Sequence, residues 1–462
     1  MLRKSTLVVF LLSICLSLSA HAHGTTAYEN GRWWDGERFV VRTVYAVDGS
    51  LTYSPPTAVD RTIDLDGGWV VPPLADAHDH GLAAPDFDAE SRRYLAQGVF
   101  YVQNPNSMRT FTLEAREQAA RPETVDVTYS MGGLTSTGGW PVPIYERAAA
   151  HMEGWTVERM AGEAYFEVDD AAGLDAAWAS LLAAEPDLVK VYLETSEEHA
   201  ARAGDPAFHG RRGLDPALLP AVVERARAAG LRVATHVTSA ADFRTAVAAG
   251  VDEIAHLPLE RLDAAAAEAA AAAGVVVVTT TISHRPTGGV DVEAVHRHNL
   301  ALLLEHGVSL VLGTDSERPV LDEAENLVRL GVDPGTVFRL ATRDTARWIF
   351  PGREIGHLGE GAEASFLVLA ADPGADLAAF RDLRAAVKQG HALDLAAVET
   401  PGVGQRLAHA LMAGGAAAAL AELDRLLAEE PERWDFGEAQ LNALGYAALE
   451  HGRAADAVGI FA

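Results

Sequence analysis

From Trp69 onward the chain alternates short runs of β-branched and other apolar residues with longer Ala-rich stretches whose apolar positions recur every three or four residues. The runs have strand length and the stretches read as amphipathic helices, so the pattern is a train of βα units. Strands are expected at 69–75, 98–103, 125–130, 188–193, 231–235, 251–255, 275–281 and 308–312, with helices between them such as 216–229, 240–249 and 292–306. Eight units over residues 69–349 predict an α/β fold, a (β/α)8 TIM barrel. A doubly wound open sheet is the alternative that the pattern leaves open.

Two flanks break this rhythm. Residues 23–68 and 350–398 carry alternating strands and Gly/Asp turns, such as Arg38-Phe39-Val40-Val41-Arg42 and Ser365-Phe366-Leu367-Val368-Leu369, and are expected to pair into one small β-sandwich domain. Residues 399–462 turn wholly helical. Leu444-Gly445, Ala457 and Phe461 fall at the offsets of a tetratricopeptide (TPR) repeat that is incomplete here, with an ordinary amphipathic helical hairpin as the plainer alternative. Such a tail is a candidate surface for a protein partner.

Residues 1–22 read as a signal peptide, with a basic start at Arg3-Lys4, an apolar stretch, and Ala20-His21-Ala22 as a small-x-small cleavage site. An uncleaved anchor needs about 20 apolar residues, more than are present, and lipidation at Cys15 has the bulky Ile14 against it. The expectation is therefore an exported protein, periplasmic or secreted, with no stable membrane anchor after cleavage. Cleavage would remove the sole cysteine, leaving a chain held by its core rather than by disulfides. Loss of Arg3 and Lys4 takes the formal charge from −28 to −30, which argues against nucleic acid as a partner.

The chemistry-bearing residues gather at strand ends. His78-Asp79-His80 follows the first expected strand, and i, i+2 spacing on extended backbone aims both imidazoles the same way. His21/His23 and His296/His298 share this spacing, but the former lies at the leader and the latter on a helix, where such residues point apart. His236 and His256 end the fifth and sixth strands. Asp315 follows the eighth, where its bland role is helix N-cap and its functional role is ligand and general base. Lys190, one of three lysines in the chain, lies within the apolar fourth strand, where an unpaired ammonium costs several kcal/mol, about enough to drive it neutral. A barrel sends all five of these strand ends to one mouth. Imidazole and oxygen donors suit Zn²⁺ and its close relatives. An ammonium cannot ligate a cation, so Lys190 is neutral or has taken up CO₂ as a carbamate, whose two oxygens suit two metals.

These motifs resemble the amidohydrolase superfamily in its carboxylated-lysine, binuclear branch, close to imidazolonepropionase-like and prolidase-like members. They stand here as Val70-Val71-Pro72-Pro73-Leu74-Ala75-Asp76-Ala77-His78-Asp79-His80, Leu188-Val189-Lys190-Val191, His236, Glu253-Ile254-Ala255-His256 and Leu312-Gly313-Thr314-Asp315-Ser316. The resemblance implies two divalent metals, Zn²⁺ first among them, held by His78, His80, His236, His256 and Asp315 and bridged by a carbamate on Lys190. It implies hydrolysis of an amide, cyclic amide or peptide-like C–N bond by a metal-bridging hydroxide, with Asp315 as general base, on a small-molecule or short-peptide substrate.

Tyr192 shares the inward face of Lys190 and is a candidate substrate contact or a packed core tyrosine. Trp140, in a Gly-rich loop after the third strand, and Thr238, two past His236, are the other candidate substrate contacts. Ser136, Thr137 and His284 also fall at strand ends but lack a spacing argument. Peptidase-like relatives carry Gly-Gly-His and a tyrosine where this chain has Trp140 and Thr238, which weakens an exported prolidase-like dipeptidase as the specific activity. A non-catalytic barrel and TPR binding protein is the alternative of another class, and it would be expected to have lost a ligand.

Overall fold

The computed structural model describes residues 24–461 except 84–86, 120, 150–151, 153, 284–289, 317, 396–402, 430–433, 435 and 451. The leader, Cys15, His21, His23 and His284 lie outside the described residues.

Eight parallel strands follow one another as barrel strands one to eight: Leu74–Asp76, Val99–Asn104, Asp126–Tyr129, Leu188–Tyr192, Arg232–His236, Glu253–Ile254, Val276–Val278 and Ser309–Val311. Backbone hydrogen bonds close the ring. Ala77 N–H donates to Leu312 C=O at 2.8 Å, joining strand one to strand eight, and Asp187 N–H donates to Tyr129 C=O at 2.8 Å, joining four to three. The strands are short, and much of the core is the apolar cluster packed between strands and helices.

Two departures from the sequence pattern have local causes. The apolar run expected as one strand at 69–75 is two: Trp69–Val71 belongs to the small sheet, and only Leu74–Asp76 enters the barrel. Pro72-Pro73 between them supplies no backbone N–H, so a ladder cannot run through. Strand Gly133–Thr135 is additional. It pairs with strand four through Lys190↔Gly133 and with Tyr165–Glu167 on its other side, within the long connection to strand four.

The two flanks pair as the alternation implies, into one eight-stranded mixed sheet. Phe366–Leu369 lies antiparallel to Trp69–Val71, which couples the sheet to the barrel's entry strand. The sheet has its own apolar cluster around Trp33, Val44 and Phe366. Lys388, isolated in sequence, is fully buried here with its Nζ 2.6 Å from Asp126 Oδ1 at the start of barrel strand three. Arg353 completes the clamp, reaching Asp126 Oδ2 and Glu363 Oε2 at 2.7 Å each. The second rare lysine thus joins the small sheet to the barrel.

The tail forms helices Gly404–Glu429, kinked at Gly415, Glu438–Glu450 and Ala454–Phe461, which share an apolar cluster of their own. Gly445 is required by contact, since a Cβ there would lie 2.4 Å from the Phe461 ring. Among the described residues no helix is long and apolar enough to cross a membrane.

Candidate metal centre

His78 is placed by Asp76, the last residue of strand one. The buried Asp76 carboxylate accepts from His78 N–H at 2.9 Å and, across the barrel seam, from Thr314 N–H at 3.0 Å and Thr314 Oγ1–H at 2.7 Å. One side chain therefore sets the register between the His78 segment and the residue before Asp315. Asp315 N–H donates to His78 C=O at 2.7 Å, and its φ of 46° lies in the left-handed region, which aspartate tolerates better than most residues.

This arrangement brings three donor atoms together. His78 Nε2 and His80 Nε2 are 3.3 Å apart, and Asp315 Oδ1 lies 3.6 Å from the first and 3.3 Å from the second. Ligands of one tetrahedral ion bound at 2.0–2.1 Å stand about 3.4 Å apart, so the spacing fits a zinc-sized cation. The tautomers fit as well. His80 Nδ1 is 2.7 Å from the Asn106 carbonyl, to which it can only donate, leaving the lone pair on Nε2. His256 joins from strand six with Nδ1 3.7 Å from Asp315 Oδ2, and His78, His256 and Asp315 form a cluster whose ligand atoms all lie within 4.8 Å. Thr280, a β-branched residue at φ 42°, holds its hydroxyl 3.0 Å from His256 Nδ1, the kind of backbone strain found at functional sites.

Electrostatics agree with a donor set. Burial and then the Lys190 charge hold His78 well below the usual imidazole range, keeping it neutral. Burial alone would push the Asp315 carboxyl up, but His78, His80 and Lys190 outweigh it and hold Asp315 well below the usual carboxylate range. His80 is the exception: Asp315 beside it favours the protonated ring and raises its pKa despite burial, so a cation binding there displaces a proton.

Lys190 is 1% exposed, and its Nζ lies 5.4 Å from the centre of the Tyr192 ring. Among the described residues no carboxylate comes within ion-pairing distance of it. Burial lowers its ammonium to about 8, against the attraction of Asp315 and Glu253. Glu253 is itself buried beneath the site, accepting from Gln103 Nε2 at 2.9 Å and Trp348 Nε1 at 2.5 Å. Space for Lys190 depends on Gly133, where a Cβ would stand 3.1 Å from Lys190 Cγ and 2.4 Å from Tyr192 Cε2.

His236 lies against His256, ring centres 4.7 Å apart. Tyr192 and Trp140 flank it at 5.7 and 6.2 Å between ring centres, and Thr238 Oγ1 is 3.3 Å from its Nε2. The six expected ligands and three expected substrate contacts thus lie within or after the barrel strands, Lys190 inside strand four and the others at strand ends or in the loops that follow. Four others in the same network had no spacing signal: Asp76, Asn106, Gly133 and Glu194, whose Oε2 lies 3.5 Å from His236 Nε2. Only Asp76 stood inside a quoted motif.

Residues 188–393, from strand four through the last strand of the small sheet, match the Amidohydrolase family. The chain is a hydrolase acting on C–N bonds. An imidazolonepropionase of Methylobacterium sp. (strain 4-46) is 27% identical over 378 residues, 75% of this chain and 92% of that protein. An uncharacterized protein of Mycobacterium tuberculosis is 25% identical over 353 residues, 71% of this chain and 86% of its own. Among solved structures, a Xaa-Pro dipeptidase with methionine bound in its active site superposes with a TM-score of 0.64 at 18% identity, covering 80% of this chain and 99% of that one. The likeness at that identity is one of fold.

Proposed function

We propose that this hydrolase is a binuclear metal-dependent enzyme that hydrolyses a C–N bond in an amide, cyclic amide or dipeptide-like substrate. The observation that carries the reading is the convergence of His78 Nε2, His80 Nε2 and Asp315 Oδ1 at 3.3–3.6 Å in the mouth of the barrel. His78, His80 and Asp315 would hold one divalent cation, and His236 and His256 the other. Lys190, whose ammonium is lowered by burial to about 8 and so gives up its proton far more readily than an exposed lysine, is suited to become a carbamate shared between them. Bound cations of this kind polarise a carbonyl and lower the pKa of water toward 7.

The chain's own residues do the rest. Asp315 is ionised throughout the neutral range, and its Oδ2 is turned away from the His78/His80 pair toward His256. That oxygen takes the proton from the attacking water and returns it to the leaving nitrogen. Tyr192 and Trp140 wall the side of the mouth next to His236 and exclude water from the reacting carbonyl. The names of its relatives support C–N bond cleavage and include both an imidazolonepropionase and a Xaa-Pro dipeptidase. A cyclic amide fits better than a dipeptide, because Thr238 stands where peptidase-like relatives carry a tyrosine and its hydroxyl is committed to Glu194. The leader at 1–22 supports an exported site of action, and the helical tail is suited to an adaptor role.

Metal analysis of the full-length protein is expected to find about two equivalents, and a panel of cyclic amides, N-acyl amino acids and dipeptides to yield a substrate. Lys190→Arg, which keeps the charge but cannot form a carbamate, should lose bound metal and at least about 100-fold in turnover. A folded, metal-saturated protein inert to the whole panel, or an arginine variant with full activity, would overturn the reading.

A further inference from the structure

We infer that Glu194 is a positioning residue for the metal centre, fixing the tautomer of His236 so that Nδ1 keeps the lone pair a metal would need. The inference rests on the metal-hydrolase reading above.

Glu194 lies two residues past Tyr192 and four past Lys190, just beyond the end of strand four. Its Oε2 accepts the Thr238 Oγ1–H at 2.5 Å and lies 3.5 Å from His236 Nε2. The direction of these bonds follows from the chemistry of the groups. A carboxylate only accepts, so the single hydroxyl proton of Thr238 goes to Glu194. Thr238 Oγ1, 3.3 Å from His236 Nε2, is then left with lone pairs toward the ring. Both neighbours of Nε2 are acceptors, so Nε2 carries the proton and Nδ1 carries the lone pair. Metal-binding histidines are oriented by such an acceptor on the second nitrogen.

The placement of Glu194 is built into the fold. The buried Asp242 carboxylate gathers four backbone N–H groups from the loops after strands four and five: Thr195 at 3.1 Å, Ser196 at 2.7 Å, Thr238 at 3.1 Å and Ser239 at 3.0 Å. Glu194 and Thr238 are each next to a residue held by, or themselves held by, that one carboxylate. Thr195 takes the left-handed conformation, φ 56°, that turns the chain into the clasp. Above it the segment ending at Leu214 crosses strand four so closely that a Cβ on Gly213 would lie 2.6 Å from Glu194 N. Two loops are thus locked together over His236, with a carboxylate at their junction.

The test is Zn²⁺ affinity of the full-length protein, measured by chelator competition alongside circular dichroism, for wild type, Glu194→Ala, Glu194→Gln and Thr238→Val. Glu194→Ala should keep two sites at saturation but bind about 10- to 100-fold more weakly. Glu194→Gln, whose amide oxygen still accepts the threonine hydroxyl, should stay within about threefold of wild type, and Thr238→Val, which removes the relay, should weaken binding several-fold. Wild-type affinity in Glu194→Ala would overturn the inference. So would a glutamine variant as weak as alanine, or the loss of one whole site, since either would make Glu194 a charge partner or a ligand. Should the alanine variant not fold, the glutamine and valine variants decide between the same outcomes. A wild-type protein that takes up no Zn²⁺ would instead overturn the metal-hydrolase reading itself.

Discussion

Lys190 shows how one residue's chemistry is made by its surroundings. Its folded pKa of about 8 lies below the roughly 10.4 of an unfolded lysine. Between those values the unfolded chain binds the extra proton, so stability rises with pH across that window and the buried ammonium is a cost below it. In metal-free protein, urea unfolding is expected to show a gain of up to about 3 kcal/mol from pH 7 to 11 that is absent in Lys190→Met. Identical pH profiles for the two proteins would show that Lys190 is not desolvated. Lysine is rare in the chain, which marks position 190, and its place in an apolar strand implies burial. Gly133, which makes room for the side chain from a strand 57 residues earlier in sequence, carried no such mark. A glycine's neighbours across a sheet are set by strand pairing, and the strand at Gly133–Thr135 is too short to leave a periodic signature.

Among the elements, the coupling of the small sheet to the barrel rests on both a shared strand boundary and an ion cluster. The pair of Pro72 and Pro73 hands the chain from one sheet to the other, while Lys388, Asp126, Arg353 and Glu363 tie the sheet to the start of barrel strand three. Lys388 is fully buried and Asp126 nearly so. Removing one member of such a pair strands the other charge, whereas removing both can be nearly neutral. Asp126→Ala is therefore expected to cost about 3 kcal/mol in chemical denaturation. Lys388→Met combined with Asp126→Asn should recover much of that loss, with metal content per folded molecule unchanged in both. An Asp126→Ala protein as stable as wild type would remove the clamp from the account. Alternating patterns in the flanks made their β character legible, but partners 262 residues apart, such as Lys388 and Asp126, share no local pattern.

At the level of the whole molecule, the barrel and the tail bury separate apolar clusters among the described residues, the barrel's built from strand and helix residues up to the small sheet and the tail's from Val403 to Ile460. Hydrophobic stabilisation follows the area each part removes from water, so separate clusters imply separable stability. Truncation after residue 402 should leave metal binding and turnover within about twofold and the main thermal transition within a few degrees. A large drop in either would show that the tail supports the barrel.

What the sequence determined by itself is the periodic part of this protein: the βα alternation, the strandedness of the flanks, the helical tail, and the donors that stand at strand ends. Those features are local, because strand and helix periods and strand termini are written in consecutive residues. Tertiary structure alone decided what depends on distance across the barrel. It placed Asp76 over the seam beside Thr314, set Gly133 beneath Lys190, and let Asp242 clasp two loops so that Glu194 meets His236. Each of these is a contact between residues far apart in the chain, where short-range geometry of hydrogen bonds and close packing, rather than any sequence period, selects the partner.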